Sequence, residues 1–442
     1  MSDIDYGNPN ATPPMGQAIP LGLQHVLAMF ASNVTPSIIV AGGLGAGFGF
    51  GSPEMVYLIQ MAMLFAGVAT LFQTVGFGPV GARLPIMQGT SFAFVGVLTG
   101  IAATQGMGVT LTACVFAGIF HFLLGGVIKQ IRWMFPSLVT GLVVLSIGLY
   151  LIPVAIKYAA GGAAPFEMNN PTFGSLSHWV VALSVVVVSL ICKFWGKGLI
   201  SHAAILIGLI AGFILAILIL PTALDKLVNG VGGAAWFALP RVFPHGFEFS
   251  LVATIGVGIV SIVSAIETVG DASATTKAGS NRDATDEEIS GATYADGLGT
   301  AVAGVFGGLP NTSFSQNVGI ISLTGIMSRH VVTIGAIFLI VCGLIPKIGA
   351  IFANMPWPVL GGGVIVMFGM VVAAGMNMLT EVKMSRRNMI IISVSLAVGL
   401  GLNLVPSAVQ YLPGIWKTLA TSAVAPTALL AVVLNLALPQ DD

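Results

Sequence analysis

The sequence predicts an all-α polytopic membrane protein of fourteen transmembrane segments, arranged as two inverted repeats of seven. Three observations carry that prediction. Of 442 residues, 56% are hydrophobic and 7% charged, where soluble domains carry about 25% charged residues. Fourteen windows are apolar over roughly the 20 residues that a membrane helix needs. The two halves also match after a shift of about 222 to 225 residues, which is seven segments, so equivalent segments cross the membrane in opposite directions.

The sixteen basic and sixteen acidic residues cancel, which sets nucleic-acid binding aside for lack of a positive footprint. Cys114, Cys192 and Cys342 lie far apart in apolar runs and have neither disulfide nor metal-site spacing. They read as small buried hydrophobes, and no metal or cofactor is expected. The 57 glycines suit close helix packing and irregular backbone inside a membrane protein.

Residues 1–17 are polar and lack Lys and Arg. They read as a tail, because the apolar run that follows is too long for a signal-peptide core. Segments one and two cover 18–42 and 55–74. The third, 86–101, is short, follows Pro85 and carries the polar run Gln88-Gly-Thr-Ser, so only its second half suits a helix. The fourth follows at 109–128. Segments five to seven cover 137–155, 178–195 and 199–221, and a long connection then leads to segments eight and nine at 250–271 and 292–308. The tenth, 311–326, repeats the oddity of the third, with Pro310 and then Asn311-Thr-Ser-Phe-Ser-Gln-Asn317. Segments eleven to fourteen cover 330–352, 358–379, 387–405 and 413–437.

The repeat is clearest in these two odd segments. Pro85 to Gly100 and Pro310 to Gly325 align their opening Pro and closing Leu-Thr-Gly, and Pro136-Ser-Leu-Val-Thr-Gly141 answers Pro358-Val-Leu-Gly-Gly-Gly363. With the N-terminus cytoplasmic, eleven of the sixteen Lys and Arg fall in inside loops, as the positive-inside rule requires. Non-helical backbone at membrane depth survives only where it lines an enclosed cavity. Two half-helices that begin there would aim free N–H groups and positive dipole ends at one point, and a paired interruption of this kind marks a transporter's site.

Glu267, Asp271 and Asp296 are the acids inside or at the edge of apolar segments. Each costs about 2.5 to 3.5 kcal/mol there, so each is expected to face the protein interior. Glu267 and Asp271 are one helical turn apart on one face. With no Lys or Arg alongside, the two are not expected to be ionised together, which suits proton coupling. Asp296, near the start of segment nine, is open to a second reading as a hydrogen-bonding group at a helix N-terminus. His25 in segment one is a candidate for the same network, or an interhelical hydrogen-bonder; His121 reads as structural. Gln316 and Asn317 are adjacent amides at the half-helix entrance. An amide both donates and accepts, which suits a heterocycle edge of alternating N–H and C=O, although Asn also satisfies frayed backbone. Phe92, from the other broken segment, can stack on a flat ring or simply pack.

Gln24-His25, Gly89-Thr-Ser-Phe92, Glu267-Thr-Val-Gly-Asp271, Ala295-Asp-Gly297 and above all Gln316-Asn-Val-Gly-Ile-Ile-Ser-Leu-Thr-Gly325 resemble the nucleobase-ascorbate transporter, or nucleobase:cation symporter-2, family over the whole chain. The resemblance implies a core domain of residues 18–128 and 250–352, a gate domain of residues 137–221 and 358–437, and a homodimer. It also implies Glu267 as the main substrate carboxylate, Gln316 as the second side chain on the base, Phe92 as the stacking ring and Ser315 as a backbone contact. Asn317, Asp271, Asp296 and His25 would support them. Uracil carriers of the family tend to have Glu in place of Gln316 and His in place of Asp271, so the xanthine and uric acid branch is favoured. The expectation is a proton-coupled importer of oxidised purines with an elevator-like movement, not an enzyme, in the cell membrane with both termini cytoplasmic. A uracil permease, and an anion exchanger or channel of the same plan, are the alternatives. An anion path would want a basic residue near the half-helices, and no Lys or Arg lies between Pro310 and Met327.

Overall fold

Helix boundaries follow the local chemistry of the chain. The computed structural model describes residues 5–42, 48, 51–162 and 165–439. Helix α1 spans Met15–Gly42 and keeps Pro20 and Pro36 within it. Helix α2, Pro53–Thr74, starts where the Ser52 side chain accepts from the Met55 N–H and a proline occupies the first turn, the position that needs no backbone donor. Strand β1, Gln88–Thr90, precedes α3, Val95–Gly125, which is interrupted at Gly106 with φ 86°. Only glycine adopts that conformation readily, and the break divides segment three from segment four.

Helices α4, Ser137–Ala160, α5, Leu176–Trp195, and α6, Ala204–Ile219, complete the first half. A short helix α7, Ala223–Gly233, turns 118° from α6 within the long connection between segments seven and eight. In the second half α8 is Leu251–Ser280 and α9 is Asp286–Val305. Strand β2, Asn311–Ser313, leads into α10, Ser315–Thr324. Helices α11, Arg329–Gly343, and α12, Pro346–Ala353, meet at 79°, so segment eleven ends well before residue 352. Pro346, which cannot continue a helix, sits at that corner. Then follow α13, Trp357–Thr380, α14, Arg386–Leu404, α15, Gly414–Ala420, and α16, Val424–Ala437, the last two dividing the predicted segment at 413–437.

The packing shows the inverted repeat directly. Helix α2 lies on α11 as α9 lies on α3, α5 on α6 as α14 on α16, and α1 on α11 as α8 on α3. Each pair is the image of the other when the halves are exchanged. Elements that would map onto each other across the axis touch: α4 packs along α13, and β1 pairs antiparallel with β2, Gln88 opposite Ser313 and Thr90 opposite Asn311. Gln88 and Ser313 are separated by the same shift that aligns Pro85 with Pro310, so the pseudo-two-fold axis passes through the strand pair. Helix α1 is 89% buried over its apolar window, whereas α5 and α14 are 22% buried. Those two turn Leu183, Val187, Phe194, Met389 and Val394 outward, as lipid-facing helices do.

Candidate functional site

The site forms where the two strands end and the two half-helices begin. Much of its strand backbone is engaged, as membrane depth demands. Beyond the ladder, the Thr90 N–H donates to Asn33 Oδ1 of α1 at 2.8 Å, the Ser91 N–H to the Pro310 carbonyl at 2.8 Å and the Phe314 N–H to the Met87 carbonyl at 3.0 Å. The Asn311 N–H donates to Thr300 Oγ1 of α9 at 3.0 Å.

A cavity of about 30 Å³ lies against this crossing, lined on one side by Thr90, Phe92, Glu267, Thr312 and Gln316, and on the other by Val144 and Ile147 of α4 and Val371 and Ala374 of α13. Glu267 stands in its wall, and its Oε2 oxygen is buried with no hydrogen-bond partner among the described residues. Phe92 is 7% exposed and meets Phe368 edge-on, ring centroids 5.4 Å apart. Ser315, Gln316 and Ala374 border both this cavity and a larger one of about 550 Å³. The larger one is a vestibule between α8 and α10 on one side and α6 and α13 on the other, with Lys193, His202, Lys277 and Glu381 in its wall.

The other expected residues lie around this centre. Asp271 is buried and accepts from the hydroxyls of Ser313 and Ser315, each at 2.6 Å; it tethers the start of α10 to α8 and borders the vestibule. Ser315 thus uses its side chain on Asp271. Asp296 is fully buried and accepts from Gln88 Nε2 at 2.5 Å, from Gln73 Nε2 at 3.0 Å and from the Thr268 hydroxyl. Because α9 begins at Asp286, Asp296 sits in mid-helix and is no helix N-cap; Thr285 fills that place, in a capping box with Glu288. Asn317 donates to His25 twice, to its ring Nδ1 at 3.1 Å and to its carbonyl at 3.0 Å, pinning the first turn of α10 to α1. His25 and Asn317 border neither cavity. His121 is buried away from both, with no partner for either ring nitrogen among the described residues.

Asn33, Gln73, Gln88 and Thr268 also hold the site, although the sequence assigns none of them a role of its own: Gln88 and Thr268 enter it only within a polar run and a motif. Their signal was a polar side chain inside an apolar segment, where burial without a partner costs several kcal/mol. Chemically, the cavity offers one carboxylate oxygen free to accept, one amide able to donate and accept, one aromatic face, and half-helix N-termini. No Lys or Arg lines it.

The chain is similar to known proteins over most of its length. Residues 16–408 match the Permease family. A uric acid permease of Bacillus subtilis (strain 168) is 36% identical over 421 residues, covering 95% of this chain and 95% of its own. A xanthine permease of Escherichia coli (strain K12) is 33% identical over 449 residues, covering 97% and 93%. Among solved structures, the transmembrane domain of a cyanobacterium bicarbonate transporter superposes with a TM-score of 0.61 at 16% identity, covering 95% of this chain and 97% of that one.

Proposed function

The chain belongs to the Permease family, the nucleobase:cation symporter-2 family that its motifs resemble, and from that premise we propose that it imports oxidised purine nucleobases, xanthine or uric acid, together with protons. The observation that carries this reading is the unpartnered Glu267 Oε2, set in a cavity with Gln316 and Phe92. A buried acceptor without a donor costs about 1 to 3 kcal/mol, and a base bringing two adjacent N–H groups removes that cost. Gln316 then meets a neighbouring carbonyl and N–H, and Phe92 covers the ring. The cavity of about 30 Å³ is smaller than such a base, which would also occupy the adjoining end of the vestibule at the Ser315, Gln316 and Ala374 aperture.

In this reading the helices that carry the half-helices, residues 18–128 and 250–352, move as a core against a gate of residues 137–221 and 358–437. The vestibule is the way in or out on one side. Asp271, bonded to Ser315 and bordering the vestibule, is the proton-handling group, while Asp296, His25 and Asn317 hold the half-helices in place. The protein works as a homodimer in the cell membrane. The anion alternative has no support in the cavity, where the one charged group is Glu267.

Uptake of labelled xanthine, uric acid and uracil by cells expressing the chain, with and without a protonophore, tests the substrate and the coupling together. Purine uptake that collapses with the proton gradient is expected; uptake that survives it and needs sodium would overturn the coupling. For the site itself, Glu267→Gln replaces an acceptor by a donor at nearly constant size. Loss of xanthine binding with retained expression is expected, and near-normal affinity in the purified variant would remove Glu267 from the site.

A further inference from the structure

The small cavity opens toward the vestibule but is closed at its other end, and the closure has a specific chemistry. On α4, Val144 and Ile147 line the cavity, and Tyr150 stands one residue step of three beyond Ile147, on the same helix face. Its hydroxyl donates to the Phe92 carbonyl at 3.1 Å. Tyr150 is 8% exposed and Phe92 7%. On α13, Phe368 stands three residues beyond Val371 in the same direction, and its ring closes edge-on against Phe92 at 5.4 Å. Of the vestibule-lining residues of α13, Met370 stands next to Val371, and Ala374, Asn377 and Glu381 run the opposite way along the helix. The side of the cavity away from the vestibule is therefore shut by a gate tyrosine and a gate phenylalanine gripping one core residue, and that residue is the ring expected to cover the base.

We propose that the Tyr150 hydroxyl is a state-specific latch: a positioning group that holds Phe92 and seals the far end of the cavity only while the vestibule is open. This rests on the two-sided transport reading above, because the core must then slide past α4 and α13, and a bond to a main-chain carbonyl of the core cannot follow that movement. Breaking it costs the vestibule-open state one buried hydrogen bond and leaves the other state unchanged. Removing the hydroxyl shifts the balance toward the other state by roughly 2- to 10-fold, the range for one net hydrogen bond.

Leu151, fully buried beside Tyr150 on α4, reports on the sealed end, and Ser322, exposed in the vestibule wall, on the open one. In the full chain carrying Cys192→Ser, Leu151→Cys and Ser322→Cys are introduced singly and labelled with a membrane-impermeant maleimide from each membrane face, with and without Tyr150→Phe. The latch predicts that Tyr150→Phe raises labelling at Leu151→Cys roughly 2- to 10-fold from the face opposite the vestibule, with Ser322→Cys labelling changed by less than that factor. Unchanged Leu151→Cys labelling overturns it, and so does an equal rise at both positions, which would mean general loosening. Should Tyr150→Phe fold poorly, Phe368→Leu removes the other half of the seal and must move Leu151→Cys labelling in the same direction. No nucleobase enters these measurements, so a failed latch leaves the substrate reading standing, and a failed substrate reading leaves the labelling result intact.

Discussion

Asp271 and Asp296 are both buried acids at the strand crossing, yet the partners of each assign them different work. Asp271 is held by two hydroxyls, of Ser313 and Ser315, and a hydroxyl rotates to donate or accept. Asp271→Asn can therefore be satisfied where it stands, so the variant is expected to fold and bind while accumulating little substrate, having lost the group that can carry a proton. Binding and concentrative uptake measured on the same preparation decide it, and a variant that concentrates substrate normally would take Asp271 out of the coupling. Asp296 faces two amide nitrogens, of Gln73 and Gln88, and those can only donate. Asp296→Ala strands the Gln88 amide, whereas Gln73 Nε2 keeps its bond to the Ala292 carbonyl at 2.9 Å, and the variant is expected to lose about 1 to 3 kcal/mol, read as a fall in melting temperature. Asp296→Asn keeps an oxygen for the two amides and can turn its nitrogen to Thr268, whose hydroxyl also reaches the Ser264 carbonyl. It should retain most of the stability, and equal loss in both variants would mean that Asp296 is not the hub.

At the scale of elements, the strand pair depends on a glycine. A Cβ on Gly89 would stand 2.4 Å from the Phe314 ring, 2.7 Å from Met29 Cε and 2.9 Å from Asn33 Oδ1. Gly89→Ala must push Phe314 away at the start of α10, with an overpacking cost of about 1 to 3 kcal/mol, and should weaken both thermal stability and base binding. Gly319→Ala on α10 is the control, since nothing lies within 4 Å of its Cβ position and alanine favours a helix interior; equal effects of the two would remove the strand pair from the argument. Much of this arrangement is legible in the chain. Pro85 and Pro310, with the polar runs behind them, announce two breaks and their equivalence. What they do not announce is that the breaks pair with each other, because strands of three residues carry too little periodicity to be read. The early start of α9 was hidden for a different reason: Asp286, Glu287 and Glu288 make its first turn polar and drop it from any apolar window, although Thr285 and Glu288 spell a capping box. The corner at α11 to α12 falls inside apolar sequence and leaves the window count unchanged, and the one at α6 to α7 falls where segment seven gives way to the connection.

For the whole molecule, one end gathers several independent marks. The vestibule opens between Lys193, Lys277 and Glu381. The N-terminal tail lies at the same end, with the Ser280 hydroxyl donating to the Gly7 carbonyl and the Met327 and Arg329 N–H groups to the carbonyls of Tyr6 and Pro9. Lys193, Lys277 and Arg329 are among the eleven basic residues that the charge rule assigns to the inside, so the rule predicts that tail and vestibule both face the cytoplasm and that the structure is the inward-open state. Sequence alone carries the sidedness through its loop charges but says nothing of which way the cavity opens, because that depends on where α10 rests against α13, a contact between residues far apart in the chain. Ser322→Cys in the Cys192→Ser background separates the possibilities. An impermeant maleimide should label it in inside-out vesicles and spare it in intact cells, and saturating xanthine should slow the labelling by filling the aperture at Gln316. Labelling confined to intact cells would reverse the orientation and make this the outward-open state. Labelling from the inner face that xanthine leaves unchanged would keep the orientation and move the substrate's place away from Gln316.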